Sequence, residues 1–178
     1  GGVDKAGEGV VVGVIDTGIA PEHPSFEGKK LKKQKKNDKR HKGSQPYTDG
    51  THVYFDKSDG GQFQAAMVEG QDWDKSDYSS KLIGAQYFHA GAAAAGFDFQ
   101  YDYLSPRDGD GHGSHTASTA AGNFGVEASI EDTDFGRISG VAPGAKVSAY
   151  KACYIGPDEA VTTDDICAGS DLIAAIDQ

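Results

Sequence analysis

An aspartate stands at the end of a strongly apolar, β-branched segment. Residues Val10–Ile15 read Val-Val-Val-Gly-Val-Ile, and Asp16-Thr-Gly follows directly. A carboxylate in such a turn can accept hydrogen bonds from loop N–H groups and stay ionised, which suits an orienting or catalytic role. Two other interpretations fit the same string. The aspartate could only cap a turn, or it could be one half of an aspartic protease, whose chemistry needs two such carboxylates sharing a proton.

A histidine occupies the second candidate segment, which runs from Asp108 to His115 as Asp-Gly-Asp-Gly-His-Gly-Ser-His. Three glycines close to His112 allow a tight turn and let another group approach the imidazole. A histidine in this position can act as a general base when a carboxylate orients its other ring nitrogen. His115 lies on a neighbouring face of the same helical turn and is expected to be structural.

Metal binding fits this second segment poorly. Asp108, Asp110 and Gly113 occupy the first, third and sixth places of a calcium loop, but Thr119 stands at the twelfth place, where that loop needs glutamate. The His-x-x-His spacing also differs from the spacing of a helical zinc protease site.

The chain has two cysteines, Cys153 and Cys167. Neither lies near a histidine and they form no Cys-x-x-Cys motif, so a zinc site is not expected. Two free buried thiols and a short-loop disulfide both remain open at this point, and a disulfide would require an oxidising compartment.

The elements that would position these residues alternate between strand and helix. The pattern predicts strands at Val10–Ile15, Lys81–Phe88 and Lys146–Tyr154, and helices at His112–Ala121 and Ser170–Gln178. Ser170 is the expected N-cap of the last helix, with Asp171 in its first turn. This order predicts an α/β protein with a parallel sheet, at whose carboxyl edge Asp16 would lie.

Composition excludes several classes of protein. The chain has 178 residues, of which 37% are apolar and 25 are glycine. This composition is typical of a loop-rich globular protein, and no apolar run approaches the roughly 20 residues of a membrane span. The net charge is −10, but residues 29–42 hold nine bases and one acid, which leaves 26 acids and 8 bases elsewhere. A body this acidic argues against a general nucleic-acid-binding role.

Two segments together resemble the two motifs of the subtilisin-like serine proteases, the subtilases. They are Val14-Ile-Asp-Thr-Gly18 and the later Asp110-Gly-His-Gly-Ser-His-Thr-Ala117. Gly13–Phe26 also resembles the family's strand and following loop. Four further segments resemble the subgroup typified by plant subtilases: Leu82–Ala85, Ser105–Asp108, Gly140–Gly144 and Ser170–Gln178. The resemblance implies a three-layer α/β subtilisin-like fold with a parallel central sheet. It also implies Asp16 as the orienting carboxylate and His112 as the general base. The aspartic-protease alternative has no use for His112.

The chain departs from the family at the nucleophile. It contains no Gly-Thr-Ser motif, and no asparagine stands in the context of the family's oxyanion donor. Residues 1–178 are therefore expected to form the N-terminal part of a subtilase catalytic domain, with an incomplete fold. Without nucleophile and oxyanion donor, the chain alone is expected to be inactive. The alternative is a non-catalytic subtilase-like fragment or pseudoenzyme that acts as a binding module.

The resemblance also carries expectations about partners and location. The partners would be polypeptide substrates and the remainder of the catalytic domain, which carries the serine; nucleic acid and membrane are not expected. No cofactor is implied, and a structural calcium is left open. A disulfide between Cys153 and Cys167 is implied, because it is common in the plant-like subgroup, and the protein would be secreted.

The resemblance does not cover an insertion between the two motifs, at about residues 29–76. It is polar and poorly periodic, and its basic part, residues 29–42, is expected to form a solvated surface loop. The excess of positive charge suggests a loop that modulates access to the site or docks an acidic partner. Deleting residues 29–42 tests this hypothesis, because unchanged peptide kinetics and salt dependence would contradict it.

Overall fold

A computed structural model gives the fold. It describes residues 2–34, 45–158, 160–161 and 164–178. Most of the basic window lies outside these residues. In its described part, residues 29–34, all four lysines are exposed.

The described residues form eleven strands, three α-helices and two short 3₁₀ turns. The strands are β1 Val11–Asp16, β2 Lys32–Lys33, β3 Tyr47–Thr48, β4 His52–Asp56, β5 Gln62–Ala66, β6 Leu82–Tyr87, β7 Val126–Ile130, β8 Thr133–Ile138, β9 Lys146–Lys151, β10 Cys153–Tyr154 and β11 Ile166–Cys167. The α-helices are α1 Ala90–Ala94, α2 His112–Ala121 and α3 Gly169–Ile176, and the 3₁₀ turns are Val3–Lys5 and Pro24–Phe26. The longest described helix, α2, has ten residues, so no described helix could span a membrane.

Three parallel strands form the central sheet in the order β1-β9-β6. Its core side chains include Leu82, Ile83 and Val147, all of which are fully buried. The register pairs Asp16 with Lys151, so these two residues end adjacent strands at the same edge of the sheet. The predicted α/β class with a parallel sheet is confirmed. The strand expected at Lys146–Tyr154 is interrupted at Ala152 and resumes as β10.

Helix α2 packs against this sheet through its small residues. Ala117 and Ala121 are buried in the same apolar cluster as the strand residues Val147 and Ala149. A Cβ atom added to Gly113 would collide with the carbonyl oxygen of Gly18, so only glycine permits this approach between the helix and the loop after β1. The helix bounds are those predicted from the sequence.

The insertion contains a second sheet, of order β2-β3-β4-β5, where the polar pattern predicts no strand. Val53, Tyr54 and Phe55 of β4 are all buried, so apolar and polar residues do not alternate along this strand. This absence of alternation hides the strand from a periodicity argument. A bridge between Met67 and Ala85 joins the insertion to edge strand β6 of the central sheet.

The start of helix α3 differs from the expected one. Its N-cap is Ala168, without a capping side chain, and Ser170 lies inside the helix, so the prediction of Ser170 as N-cap is wrong. Asp171 lies in the first turn as predicted, but its carboxylate accepts hydrogen bonds from the N–H groups of Gly91 and Ala92, at 2.7 and 2.9 Å. The buried carboxylate thereby satisfies the N-terminal amides of α1, which have no partner within that short helix.

Candidate active site

Asp16 is the last residue of β1, and its carboxylate is fixed by its neighbours. Its Oδ1 atom accepts a hydrogen bond from the Thr17 N–H at 2.8 Å. Its Oδ2 atom lies 3.1 Å from the Thr116 hydroxyl of helix α2. Only 14% of the Asp16 side chain is exposed, so the carboxylate is held between strand and helix.

His112 is the first residue of α2 and faces Asp16. Its Nδ1 atom lies 2.7 Å from Asp16 Oδ1, although 96 positions separate the two residues in the sequence. Because Asp16 Oδ1 also accepts from the Thr17 N–H, we assign the imidazole proton to Nδ1, which then donates to the carboxylate. Among the described residues Nε2 has no hydrogen-bond partner, so its lone pair is available on a side chain that is 65% exposed.

The contact with Asp16 changes the titration of His112. The hydrogen bond to Asp16 and the negative charge of that carboxylate raise the pKa of the imidazole above its ordinary value of 6.5. Asp110 and Asp108 add smaller attractions in the same direction. The Asp16 carboxylate would therefore stabilise an imidazolium formed at His112 during a reaction.

The aspartate at position 108 holds the N-terminus of α2. Its Oδ1 atom accepts from the N–H of Gly111 at 2.8 Å and from the Thr17 hydroxyl at 2.9 Å. Its Oδ2 atom accepts from both the N–H and the hydroxyl of Ser114, at 2.8 and 2.6 Å. Burial alone would raise the pKa of Asp108, but these hydrogen bonds outweigh it and hold the pKa below its ordinary value.

Thr17 connects the two halves of the site. Its hydroxyl donates to Asp108 and accepts from the N–H of Gly113 at 2.8 Å. The turn after β1 and the first turn of α2 therefore share one hydrogen-bond network, and this network positions Asp16 opposite His112.

A cleft of about 370 Å³ opens beside His112. Its wall includes Tyr154, Ile155 and the disulfide that joins Cys153 to Cys167 across strands β10 and β11. Most of the exposed lining is apolar, and the acidic side chains Asp110 and Asp165 stand among it. The cleft therefore offers mostly apolar surface beside the exposed imidazole.

The second histidine of the motif takes no part in this network. His115 is exposed, and its ring makes no hydrogen bond within the described part of the chain. The described residues also contain no group of three or more His, Cys, Asp or Glu side chains that could hold a metal ion.

A buried ion pair lies beside the site, where the sequence motifs predict none. Lys151 and Asp102 bond to each other with both side chains fully buried. The only signal in the sequence is a lysine at the end of strand β9, and its partner lies 49 positions away. Sequence spacing does not predict such a pair.

Comparison with known proteins agrees with the motifs. Residues 7–177 match the Subtilase family, Peptidase S8. The whole chain aligns with the Subtilisin-like proteases SBT2.3 and SBT2.2 of Arabidopsis thaliana, at 41% and 40% identity, and spans about 18% of the length of each. The Subtilisin-like protease SBT1.6 of the same plant is 34% identical over 96% of the chain. The chain therefore belongs to the subtilase family of serine proteases, and its parallel sheet is part of an α/β subtilisin-like fold.

Proposed function

We propose that this chain supplies the aspartate and the histidine of an Asp-His-Ser triad in a subtilisin-like serine endopeptidase. The observation that carries the proposal is the 2.7 Å contact between Asp16 and His112 Nδ1, which leaves Nε2 exposed at the rim of a cleft. Family membership supports the same chemistry.

In the proposed reaction, His112 Nε2 takes the proton of a serine hydroxyl while the serine oxygen attacks the carbonyl carbon of the scissile peptide bond. Asp16 keeps the imidazole in the productive tautomer and stabilises the imidazolium. His112 then returns the proton to the leaving amine, and a water molecule hydrolyses the acyl-enzyme by the same route in reverse.

The nucleophile and the oxyanion donors would come from a part of the polypeptide outside residues 1–178. The chain contains no Gly-Thr-Ser motif. We therefore expect this chain alone to be inactive, and we expect its partners to be polypeptide substrates and the serine-bearing remainder of the catalytic domain. The disulfide supports a secreted protein, because disulfides persist in oxidising compartments.

A fluorophosphonate probe tests the proposal in the full-length polypeptide that contains this chain. The wild type should be labelled on serine, His112→Ala should lose the label, and Asp16→Asn should react about 10⁴-fold more slowly because the imidazole adopts the wrong tautomer. His115→Ala is the matched control, since it removes an exposed histidine from the same helical turn and should label like the wild type.

A folded full-length wild type that takes up no label would contradict the proposal. That result would favour the alternative, a non-catalytic subtilase-like binding module.

A further inference from the structure

A fully buried cation and a fully buried carboxylate meet behind the candidate site. Lys151 ends β9 and Asp102 lies in the loop that leads towards α2. Removing two charges from water is costly, and a buried pair is tolerated when further hydrogen bonds satisfy both groups. Asp102 accepts from the N–H groups of Tyr103 and Ile155, at 2.7 and 3.0 Å. The Lys151 ammonium donates to the carbonyl oxygen of Arg107 at 2.8 Å and lies 5.0 Å from the ring centroid of Tyr154.

The ion pair is connected to the strand, the helix and the cleft that together form the candidate site. On the strand side, Lys151 is the register partner of Asp16, and the N–H of Ala152 donates to the Asp16 carbonyl at 3.0 Å. On the helix side, Arg107 directly precedes Asp108, the residue that holds the start of α2. On the cleft side, Ile155 forms part of the wall beside His112.

The charges around this pair are mostly acidic. Burial lowers the pKa of Lys151, while Asp102, Asp108 and Asp110 oppose that effect by attraction. The same Asp108 and Asp110, together with Asp16, face His112. Asp165 faces the cleft from the disulfide hairpin.

We propose that Asp102 and Lys151 are positioning residues, which hold His112 against Asp16 and keep the Ile155 wall in place for catalysis. The inference rests on the proposed function for its kinetic consequence. Neither residue touches the reacting atoms. They act through the Arg107–Asp108 segment and through Ile155.

The test is the double variant Asp102→Asn/Lys151→Met in the full-length polypeptide. It removes one charge of each sign, so the net charge near His112 is unchanged and any change in catalysis reports geometry. Replacing both members of a buried pair is tolerated better than leaving one of them unpaired. Because a displacement of about 1 Å can cost about 100-fold in rate, kcat should fall between roughly tenfold and 100-fold, and KM should rise several-fold.

The pH dependence separates positioning from simple destabilisation. A looser contact with Asp16 would move the pKa of His112 down towards its ordinary value. The acid limb of the kcat/KM profile should therefore move to lower pH, and NMR titration of His112 should shift in the same direction.

Lys81→Met is the matched control. Lys81 is also a buried cation, and its ammonium donates to the carbonyl oxygens of Pro143 and Ala145 at 2.8 Å each, at the amino end of the sheet. Its loss should lower the thermal midpoint of unfolding while leaving kcat and the acid limb at their wild-type values.

Unchanged kcat and an unchanged His112 titration in the folded double variant would overturn the proposal, and so would an equal shift in Lys81→Met. If the double variant does not fold, Asp102→Asn/Lys151→Gln replaces it. This variant removes the same two charges, and its amides can still bond the Ile155 N–H and the Arg107 carbonyl oxygen. The same two changes should therefore appear at smaller size, and their absence there overturns the proposal as well. If the wild type takes up no fluorophosphonate label, the proposed function fails, and the NMR titration still decides the positioning role.

Discussion

His112 combines an exposed ring with a fixed orientation. Its side chain is 65% exposed, whereas that of its partner Asp16 is only 14% exposed. The carboxylate is largely shielded from solvent and accepts a hydrogen bond from one ring nitrogen, Nδ1. The other ring nitrogen, Nε2, stays accessible to a substrate. The Thr17 N–H bonds Oδ1 of this carboxylate and the Thr116 hydroxyl bonds Oδ2, so the ring orientation follows from backbone and helix geometry.

The titration of His112 gives a prediction at this scale. Its folded pKa is raised, so the protonated ring stabilises the fold at pH values below the ordinary 6.5, and this contribution is lost as the pH rises through the folded pKa. A general base must be neutral, so activity should rise with pH through that same folded value. In Asp16→Asn, the NMR titration midpoint of His112 should fall. An equal midpoint in wild type and variant would show that the Asp16 carboxylate does not cause the raised pKa.

Helix α2 begins without a capping side chain of its own, because Gly111 is its N-cap residue. Asp108 takes this role from three positions earlier by accepting from the N–H groups of Gly111 and Ser114. The first turn of α2, which carries His112, is therefore tied to the loop before it.

Replacing Asp108 by alanine tests this arrangement. Loss of a capping carboxylate should lower the free energy of unfolding by about 1–2 kcal/mol near neutral pH, seen as a lower thermal midpoint. The pKa of Asp108 is lowered, so its contribution is present above the ordinary value of 3.8 and is lost as the pH falls through the folded pKa. The difference between wild type and variant should therefore shrink in acid.

Asp134→Asn is the control for this experiment, because Asp134 is exposed and bonds only the nearby Gly136 N–H among the described residues. It should leave the thermal midpoint unchanged at both pH values. A difference between wild type and the Asp108 variant that does not depend on pH would contradict the assigned cause.

The disulfide hairpin of β10 and β11 is the second element at the site. The chain-entropy account gives about 3 kcal/mol for a loop of this length. The Cys153→Ser/Cys167→Ser double variant should therefore unfold at lower denaturant concentration. Alkylation should modify neither cysteine of the native wild type without reductant, and modification of both would contradict the pairing.

The described chain exposes large apolar side chains that a globular protein normally covers. Ile173 and Ile176 on α3 are 62% and 69% exposed, and Phe124 and Phe135 near or on the β7–β8 hairpin are 58% and 60% exposed. Strand β1 lies at the edge of the central sheet as described, with β9 as its one paired neighbour there. Open edges and apolar faces favour association between chains.

Residues 1–178 produced alone should therefore aggregate and bind a hydrophobic dye, whereas the full-length polypeptide should do neither. The reason is that the apolar face of α3 and the edge of β1 would lack cover in the isolated piece. A monomer with a cooperative thermal transition would contradict this prediction.

Much of the fold was accessible to periodicity and local chemistry. The β-branched run before Asp16 predicted β1, and the small residues after His112 predicted α2 with its observed bounds. Periodicity does not predict the sheet inside the insertion, because β4 is buried on both faces and lacks alternation. The predicted N-cap of α3 is wrong because the helix already begins at Gly169, before Ser170. The bonds of Asp171 to helix α1 are contacts that no local pattern reveals.

Residue types in short motifs are enough to identify the family, the elements β1, β6, α2, β9 and α3, and the two residues proposed for catalysis. Which side chains meet depends on the tertiary structure. The 2.7 Å contact of Asp16 with His112 depends on the close approach that Gly113 allows. The pairing of Lys151 with Asp102 depends on the strand register and on the path of a loop. Such distances follow from packing over many residues, so no local pattern contains them.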